Sequence, residues 1–324
     1  MFKNKVILVI GATGTVGYEI VKKIIKERPK CILLFGRNEY HHFKIQQSIT
    51  YDGLKNVIGD IRDKESLRSV MREVDYVFNF AALKHVEYCE NNPFEAIKTN
   101  LIGLQNIIEC AFELNVKKVI HASSDKAVNP INVMGATKML GERLILSKAL
   151  ATSSPIFATV RFTNIIESRG SVVEVWLNQI KKKSPVTITC PNMTRYVMLK
   201  DKAVQLVLNA CKEAKGGEIF IPKSPEIKLN DLCQIVINEA SDMWGIDKNS
   251  IIIHKIGRRS GEKKHEELIG ESEKKFALEN DDTIIINPFK KNLGQSEPKY
   301  SYSNRNDSKE VHEIVRNIIR GMDI

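Results

Sequence analysis

The sequence predicts a doubly wound parallel α/β sheet with a smaller C-terminal lobe. Short β-rich apolar runs alternate with amphipathic helical stretches over the first half of the chain, which is the pattern of a parallel sheet covered by helices. The 324 residues exceed what one compact core usually holds, and the alternation loosens beyond about residue 165. We therefore expect one domain over residues 1–165, rejoined by segments at 196–240, and a lobe formed mainly by residues 166–324.

The first strand and helix illustrate how the elements are assigned. Val6–Ile10 is an apolar, mostly β-branched run, as expected of a buried strand. Val16, Ile20 and Ile24 then recur at helical spacing, which predicts a helix over Thr15–Lys26. The same reasoning predicts strands at Cys31–Phe35, Leu54–Ile58, Tyr76–Phe80, Lys117–Ala122, Phe157–Phe162, Glu218–Pro222 and Ile251–Ile256. Further helices are predicted from Lys64 (capped by Asp63), at Pro93–Leu114, at Asn132–Ala149 and, after a polar tract at 280–307, at Ser308–Arg320.

A glycine-rich turn joins the first strand to the first helix. It reads Gly-Ala-Thr-Gly-Thr-Val-Gly from residue 11. Glycines permit a tight turn and a close approach of the backbone to a pyrophosphate, which then lies at the positive end of the helix. Directly after a strand, this motif predicts a Rossmann-type dinucleotide site. The residues predicted to hold the cofactor here are Gly11, Thr13, Gly14, Thr15, Val16 and Gly17.

The ends of the next three strands supply further predicted cofactor contacts. Arg37 follows the second strand, where NAD-binding folds usually have an acidic residue and where an arginine accommodates the 2′-phosphate of NADP. This favours NADP over NAD, with a surface position or stacking on adenine as the alternatives for Arg37. Asp60 follows the third strand and suits the adenine amino group. The predicted contacts at these strand ends are Arg37, Asn38, Asp60, Ile61, Ala81 and Ala82.

Composition argues against several classes of function. The net charge is +10, but the lysines are dispersed along predicted helices, so we expect no nucleic-acid partner. A partly basic cleft for a diphosphate-bearing substrate is compatible with this charge. We expect a cytoplasmic protein without a membrane partner, because no apolar run approaches the ~18 residues of a membrane span and no signal peptide precedes the first strand. The six cysteines are scattered, which predicts reduced thiols and no metal site.

Several motifs along the chain resemble one enzyme family. In order they are Ala-Ala-Leu-Lys-His-Val at 81–86, Asn-Pro-Phe-Glu-Ala-Ile-Lys-Thr-Asn at 92–100, Ser-Ser-Asp-Lys with Met-Gly-Ala-Thr-Lys at 123–138, Arg-Phe-Thr-Asn at 161–164, Ser-Arg-Gly-Ser-Val at 168–172, Met-Thr-Arg-Tyr at 193–196 and Gly-Glu-Lys at 261–263. Over nearly the whole chain they resemble the extended short-chain dehydrogenases/reductases of the UDP-N-acetylglucosamine 4,6-dehydratase type. Many ordered matches make this resemblance more specific than the glycine turn.

The resemblance implies roles for individual residues. Lys138 would hold the nicotinamide ribose, and Asn100 would position the catalytic loop. In the wider superfamily a tyrosine base stands four residues before this lysine, but here it is Met134, which cannot take a proton. Lys84, also a candidate for the cofactor, and His85 would border the cleft. The remaining residues implied for the substrate, chiefly its UDP moiety, are Asn164, Ser171, Val172, Arg195, Arg259 and Glu262. The chain departs from the family pattern at Thr163, Glu167 and Ser260, which puts the shape of the pocket in doubt.

The Asp125–Lys126 pair predicts proton transfer at two adjacent carbons of a sugar. Oxidation at C4 of the hexose acidifies the C5 proton, so a base can remove it while an acid protonates the departing 6-hydroxyl. Lys126 is the candidate base and Asp125 the candidate acid, which also takes the C4 hydroxyl proton in place of the missing tyrosine. Ser124 would hydrogen-bond the C4 oxygen. A turn residue followed by a solvated lysine is the structural alternative.

Other functions are compatible with the same scaffold. A nucleotide-sugar epimerase or reductase is the runner-up, although such enzymes depend on the tyrosine that Met134 replaces. A cofactor-binding regulator is the non-enzymatic alternative, which the retained Asp125 and Lys126 disfavour. For a dehydratase, retention or inversion at C5 and release of a 5,6-ene all stay open. The resemblance also implies a homo-oligomer, either a dimer or a hexamer, and a tightly bound, recycled NADP or NAD.

Overall fold

The computed structural model describes residues 1–287 and 308–321. Its strands are β1 (Val6–Ile10), β2 (Cys31–Gly36), β3 (Leu54–Ile58), β4 (Tyr76–Asn79), β5 (Lys118–Ser124), β6 (Ile156–Phe162), β7 (Asn164–Ile165), β8 (Val186–Ile188), β9 (Thr194–Met198), β10 (Ile219–Pro222), β11 (Glu226–Lys228), β12 (Ile253–Lys255), β13 (Ala277–Glu279) and β14 (Thr283–Ile286). Its α-helices are α1 (Thr15–Ile25), α2 (Glu39–Ser48), α3 (Lys64–Val70), α4 (Val86–Asn91), α5 (Pro93–Ile97), α6 (Gly103–Glu113), α7 (Val133–Ala151), α8 (Val172–Lys181), α9 (Lys200–Glu213), α10 (Leu229–Trp244) and α11 (Ser308–Arg320).

The main sheet is doubly wound. Among the described residues it has the strand order β13-β14-β10-β6-β5-β4-β1-β2-β3. Neighbouring strands in the series β10-β6-β5-β4-β1-β2-β3 pair in parallel. Strand β14 pairs with β10, and β13 with β14, in the antiparallel direction. The strand order reverses at β1, between β2 and β4, and doubly wound sheets bind their ligands at the carboxyl ends of strands at such a point. The predicted Rossmann-type fold is confirmed.

Contacts within the chain divide it into two compact units. The first unit contains Met1–Phe162, Asp201–Pro222 and the stretch from Glu267 through β14, and the second contains Thr163–Lys200, Lys223–Glu266 and α11. The main sheet lies in the first unit. The second unit holds a three-stranded sheet in the order β11-β9-β7 and the pair β12-β8. The sequence places the corresponding boundary at residue 165 and the returning segments at 196–240.

Each unit has its own hydrophobic core. In the first unit Leu8 and Phe35 from the sheet pack with Ile107 from α6. In the second unit Trp176 from α8 and Val315 from α11 belong to one buried cluster together with residues of α10. The predicted last helix therefore packs in this core through its apolar side chains. In the described part of the chain, no helix has both the length and the apolar character needed to cross a bilayer.

Two differences from the predicted elements affect the site. The helix predicted over Pro93–Leu114 is interrupted by a π turn at Lys98–Ile102, which separates α5 from α6. Strand β5 extends two residues beyond its predicted end, and Asp125–Ala127 follows it as one turn of 3₁₀ helix. The predicted polar tract at 280–307 contains β14, and its part from 288 to 307 lies outside the described residues.

Candidate active site

The glycine turn has the geometry of a phosphate cradle. Gly11 has φ +75°, and a Cβ on it would lie 2.8 Å from the backbone nitrogen of Ala81. A Cβ on Gly17 would lie 2.5 Å from the carbonyl oxygen of Gly11. Gly14 precedes α1 and provides no side-chain cap, so the first N–H groups of the helix suit an anion. The turn, the close strand β4 and the helix end fit the pyrophosphate of a dinucleotide.

A chain of charges lies at the ends of β2 and β3. The guanidinium of Arg62 donates to Oδ2 of Asp60 at 2.6 and 2.9 Å and reaches Glu95 at 2.7 Å. Arg37 lies 4.0 Å from the same Asp60 oxygen, and its side chain is 57% exposed. Burial raises the pKa of Asp60, but the hydrogen bonds from Arg62 outweigh it and hold the pKa below its usual value. Asp60 is thus a fixed anion beside the exposed cation of Arg37.

Two other predicted cofactor residues have structural contacts at the same edge. The side chain of Asn38 accepts a hydrogen bond from the backbone N–H of His41 at 2.9 Å and caps α2. The side chain of Ile61 is buried. It packs closely against Gly103, where an added Cβ would lie only 2.6 Å from it. Among the predicted cofactor residues at these two strand ends, Arg37 and Asp60 are therefore the ones with charged side chains.

The loop after β4 is clamped by Asn100. This asparagine is 3% exposed and lies in the π turn. Its Oδ1 accepts the N–H of Leu83 at 2.8 Å, and its Nδ2 donates to the Leu83 carbonyl at 3.1 Å and to Oγ1 of Thr137 at 2.9 Å. Asn100 of the π turn thereby connects the loop that begins with Ala81 and Ala82 to helix α7. Single π turns within helices are frequent at functional sites.

Lys84 and His85 lie at the surface end of this loop, where both are exposed. The His85 ring contacts the ring of Tyr88 edge-on, with centroids 5.7 Å apart. Partial burial and the neighbouring charge of Lys84 lower the pKa of His85. At neutral pH the imidazole is therefore mainly uncharged and able to accept as well as donate a hydrogen bond.

Buried Asp125 and partly buried Lys126 form an ion pair at the carboxyl end of β5. The Asp125 side chain is 1% exposed and that of Lys126 is 19% exposed. Oδ1 of Asp125 accepts from Nζ of Lys126 at 3.0 Å and from Oγ of Ser124 at 2.9 Å. Ser124 Oγ in turn accepts the backbone N–H of Lys126 at 3.3 Å. A buried carboxyl group thus meets the amine and the hydroxyl of two partly buried residues at the strand end.

Lys138 and Met134 lie one turn apart on α7. Lys138 is 7% exposed, and its Nζ donates to the carbonyl oxygen of Ala122 at 2.7 Å. Burial lowers the pKa of Lys138 to about 8, against the opposing influence of Glu142 and Cys89. Met134 is buried against Cys89 and Ala96. Met134 therefore fills an apolar position and offers no proton-transfer group beside the lysine.

A buried ion-pair network connects the ends of β5 and β6 to α7. Arg161, on β6, is 1% exposed and donates to both carboxylate oxygens of Glu142 at 3.0 and 2.7 Å. It also donates to both oxygens of Glu273 at 3.0 and 2.9 Å. Oε1 of Glu142 further accepts from Ser123 Oγ at 2.6 Å. Because Ser123 directly precedes Ser124 and Asp125, the network fixes the strand end that carries the predicted catalytic pair.

The substrate residues implied by the resemblance lie in the second unit, apart from Lys84 and His85. Asn164 on β7 donates from Nδ2 to the carbonyl oxygen of Tyr196 on β9 at 2.8 Å. Arg195 on β9 donates to the carbonyl oxygens of Thr194 at 2.7 Å and Lys264 at 3.5 Å. The strand pair β7–β9 thus brings Asn164 close to Arg195, and Arg195 contacts Lys264.

The remaining implied residues form two local structures in this unit. Arg259 and Glu262 close a turn, since the Arg259 N–H donates to the Glu262 carboxylate at 3.1 Å and the Glu262 N–H donates to the Arg259 carbonyl at 3.3 Å. Ser171 caps α8 by accepting the N–H of Glu174 at 3.3 Å. Val172 is the first residue of that helix and is 39% exposed. No cluster of metal-ligating side chains occurs in the described ranges.

Comparison with known proteins identifies the family. The family described as "Polysaccharide biosynthesis protein" matches residues 7–288. The chain belongs to this family. A Methanocaldococcus jannaschii protein named as an uncharacterised membrane protein is 48% identical over 89% of the chain and 87% of its own length. The UDP-N-acetylglucosamine 4,6-dehydratase (inverting) of Campylobacter jejuni is 37% identical over 89% of the chain and 84% of its length. A Rickettsia bellii UDP-glucose 4-epimerase is 38% identical over 84% and 80%.

Solved structures of similar proteins agree with the fold. Pen from Bacillus thuringiensis is 40% identical, with a TM-score of 0.92 over 98% of this chain and 99% of that one. The dTDP-glucose 4,6-dehydratase DesIV from Streptomyces venezuelae, solved with NAD, is 19% identical with a TM-score of 0.71 over 82% and 89%. At 19% identity, the similarity to DesIV shows a shared fold alone.

Sequence reasoning missed three residues that the structure joins to the site. Glu142 follows Lys138 by four residues on α7, and the helical spacing of two charged residues is the signal that the sequence offers. Arg161 belongs to one of the motifs, which does not reveal its partners. His121 interrupts an apolar strand, where it contacts Asn79 with 3.1 Å between the side-chain nitrogens. A polar residue in a strand that reads as buried was the signal for it.

Proposed function

We propose that this family member is a UDP-N-acetylglucosamine dehydratase that oxidises C4 of the hexose, eliminates water across C5–C6 and returns the hydride to C6. The single observation that carries the proposal is the contact of the buried Asp125 carboxyl with the Lys126 amine at the end of β5. A simple alcohol oxidation needs one proton acceptor, whereas an elimination needs an acid and a base together. The relative from Campylobacter jejuni that is named for this reaction supports the choice.

The cofactor of the proposed reaction is NADP, or NAD, held in the first unit. When bound, its nicotinamide accepts the hydride from C4 and later returns it. The cradle of Gly11, Gly14 and Gly17 would hold the pyrophosphate, and Lys138 would hold the ribose next to the nicotinamide. The exposed guanidinium of Arg37 favours a 2′-phosphate and therefore NADP. Asp60, 4.0 Å away, keeps this arginine at the cofactor edge.

In the proposed reaction two residues accept and return all the protons that move. Asp125 takes the proton of the C4 hydroxyl as the hydride leaves and gives it to the 6-hydroxyl, which departs as water. Lys126, in its neutral form, takes the C5 proton and returns it to C5 after the hydride reaches C6. Ser124, which lies 2.9 Å from Asp125, hydrogen-bonds the C4 oxygen. Water is the sole net loss, and the cofactor ends in its starting state.

The UDP moiety is assigned to the second unit. Arg195 and Arg259 offer guanidinium groups, which suit a diphosphate because they donate several hydrogen bonds in one plane. Asn164 and Glu262 offer groups that suit the uracil and the ribose hydroxyls. The contact of Arg195 with the carbonyl of Lys264 keeps the arginine close to the Arg259–Glu262 turn.

The assignment is tested with the double variant Asp125→Asn with Lys126→Ala. We expect it to bind UDP-N-acetylglucosamine with unchanged affinity by calorimetry and to lose at least about 10²-fold in kcat, the usual contribution of acid–base groups. The matched control is Asp201→Asn with Lys202→Ala, the same dipeptide at an exposed position of α9, which should keep full activity. Undiminished turnover in the first variant would overturn both residue roles.

The product distinguishes the alternatives. A product that has lost one water by mass spectrometry indicates a dehydratase, whereas an isomer of unchanged mass indicates an epimerase, the function named for the Rickettsia bellii relative. Proton NMR of the product formed in deuterated water then separates retention from inversion at C5 and a 4-keto-6-deoxy sugar from a 5,6-ene. An isomer of unchanged mass would refute the dehydratase.

A further inference from the structure

Helix α7 contacts the segment from Ala122 to Lys126 at both of its ends. At the first end, Nζ of Lys138 donates to the carbonyl oxygen of Ala122 at 2.7 Å. At the other end, a Cβ on Gly135 would lie 2.3 Å from the carbonyl oxygen of Lys126. Gly135 and Lys138 are three residues apart and are therefore neighbours on one face of the helix. The same face of α7 thus contacts the end of β5 and the turn that carries the proposed base.

The space beside Gly135 is too small for a side chain. A Cβ there would also lie 3.1 Å from Cβ of Pro130 and 3.2 Å from Oδ1 of Asn132, and this oxygen accepts the Gly135 N–H at 2.7 Å. A Cβ needs at least 3.0 Å to its nearest heavy atom. Because the carbonyl of Lys126 belongs to the backbone, it can move only together with its peptide unit. A methyl group would therefore displace Lys126 relative to α7 by about 0.7 Å, the difference between 3.0 and 2.3 Å.

The helix itself does not require a glycine at this position. Gly135 is the third of the 19 residues of α7, and its φ is not positive. A glycine within a helix is less favourable than an alanine by about 1 kcal/mol, so the local structure favours a side chain here. The close approach of the Lys126 backbone is what excludes one.

We propose that Gly135 is a positioning residue, which places the backbone of Lys126 against the helix that carries Lys138. The inference rests on the proposed function, in which Lys126 removes the C5 proton and Lys138 holds the ribose next to the nicotinamide. Both lysines are then positioned by one turn of one helix. A proton is transferred only when the two heavy atoms come within about 2.6–3.2 Å of each other, so a displaced backbone would take the amine out of reach of C5.

The contact between Lys126 and Asp125 depends on the same placement. Nζ of Lys126 donates to Oδ1 of Asp125 at 3.0 Å. The carbonyl oxygen of Asp125 accepts the N–H of Val128 at 3.1 Å, which closes the single 3₁₀ turn at Asp125–Ala127. A turn this short has little freedom to absorb a shift at Lys126. The shift would therefore reach the amine and the carboxyl group of the pair.

The test substitutes each of two glycines of α7 in the full chain, with NADP added. Gly135→Ala should bind UDP-N-acetylglucosamine with unchanged affinity by calorimetry, because the groups proposed for UDP lie in the second unit. Its kcat should fall by about 10²-fold, the effect of displacements near 1 Å. The matched control is Gly141→Ala, where the nearest neighbours of a Cβ are the ends of two side chains at 3.1 and 3.4 Å. It should keep the native kcat, and both changes raise the helix propensity equally.

A general loss of folding would give a different result. Calorimetry also counts the binding sites, so an unfolded fraction would appear as fewer sites and not as a lower kcat per site. A native kcat in Gly135→Ala would overturn the proposal. An equal fall in Gly141→Ala would overturn it too, because the effect would then belong to any methyl group on α7.

If Gly135→Ala does not fold, Asn132→Ala takes its place. It removes the cap that holds the Gly135 N–H, so the first turn of α7 should loosen from Lys126. The kcat per binding site should then fall roughly tenfold. An unchanged kcat in this variant would overturn the proposal as well.

Crystal structures of the two glycine variants separate this inference from the proposed function. The backbone of Lys126 should be displaced relative to Lys138 in Gly135→Ala and not in Gly141→Ala, with or without the sugar. An undisplaced Lys126 in Gly135→Ala would overturn the inference whatever the activity. If Lys126 is displaced but the native protein dehydrates no nucleotide sugar, the proposed function is refuted and the positioning by Gly135 stands.

Discussion

The chain contains the dipeptide Asp-Lys four times, at 63–64, 125–126, 201–202 and 247–248. Asp63 and Asp247 cap helical segments, and Asp201 lies exposed in the first turn of α9. Asp125 differs because it is 0% exposed and in contact with the amine of its neighbour. The same dipeptide therefore has different surroundings at each place, and Asp125 is the carboxyl group that is held out of water, as its proposed role in proton transfer to a bound ligand requires.

Lys138 should reduce the stability of the fold at neutral pH. Burial lowers its pKa from 10.5 to about 8, so between these values the unfolded chain binds the proton more tightly and the folded state is penalised. Lys138→Met should raise the free energy of unfolding at pH 7 by about 2–3 kcal/mol. The gain should shrink as the pH rises from 8 through 10.5, where the amine is neutral in both states.

Urea unfolding at pH 7 and at pH 10.5 measures this difference. Lys202→Met, at an exposed position of α9, is the matched control and should change the stability little at either pH. A Lys138→Met variant that is less stable than the native protein at pH 7 would contradict the argument. A residue that serves a ligand at a cost to stability is common at functional sites.

At the scale of elements, the π turn between α5 and α6 is the feature that matters most for the site. The apolar residues from Pro93 to Leu114 follow one helical pattern without a break. A pattern with a period of 3.6 residues does not reveal that the turn at Lys98–Ile102 contains one extra residue. The extra residue directs Asn100 into the interior, where it holds both backbone groups of Leu83. The role expected for Asn100 at the catalytic loop stays a prediction, and its contacts give that role a physical basis.

Alanine substitutions at two glycines of the turn should affect different properties, one the stability of the fold and the other the binding of the cofactor. A Cβ on Gly17 would meet backbone atoms at 2.5 and 2.7 Å, whereas a Cβ on Gly14 would meet its first neighbour at 3.3 Å. Gly17→Ala should therefore lower the melting temperature, because α1 can no longer pack against the turn. Gly14→Ala should fold normally and weaken the binding of NADP, because its methyl group would occupy the space of the pyrophosphate.

Thermal unfolding and cofactor titration of the two purified variants measure these effects. Equal loss of stability in both variants would contradict the separation, and so would normal NADP affinity in Gly14→Ala. The contrast is informative because both glycines belong to one seven-residue motif and differ in what surrounds them.

At the scale of the whole molecule, each unit is assembled from segments far apart in the chain. Arg161 holds Glu142, 19 residues away, and Glu273, 112 residues away. Removing one carboxylate would leave a buried guanidinium with unsatisfied donors, which is costly. The network therefore forms only when β6, α7 and the late 3₁₀ segment at Glu271–Phe276 are all folded. The position of Asp125 thus depends on residues near the end of the described first unit.

The homo-oligomer that the resemblance implies can be tested on apolar side chains that the helices of the first unit leave exposed. Light scattering should give a mass that is a multiple of 36.7 kDa. Introducing charge with Phe94→Glu and Leu140→Glu should shift the mass towards the monomer without loss of secondary structure. The control is Ile252→Glu, a residue that is 66% exposed in the second unit. A native mass of 36.7 kDa would contradict the proposal. The exposed apolar residues on α5, the π turn and α7 are Phe94, Ile97, Ile102, Leu140 and Leu150.

The sequence alone was enough to predict the first six strands along the chain and the glycine turn, because each depends on neighbours within a few residues. The replacement of a tyrosine by Met134 is what the resemblance to the family implies. The sequence also pointed to Asp125 and Lys126, through their place after a strand. The burial of that pair, the π turn at Asn100 and the Arg161 network were decided by tertiary structure alone. They depend on desolvation and on contacts between segments up to 112 residues apart, and no local pattern of side chains records which distant group will exclude water from a charge.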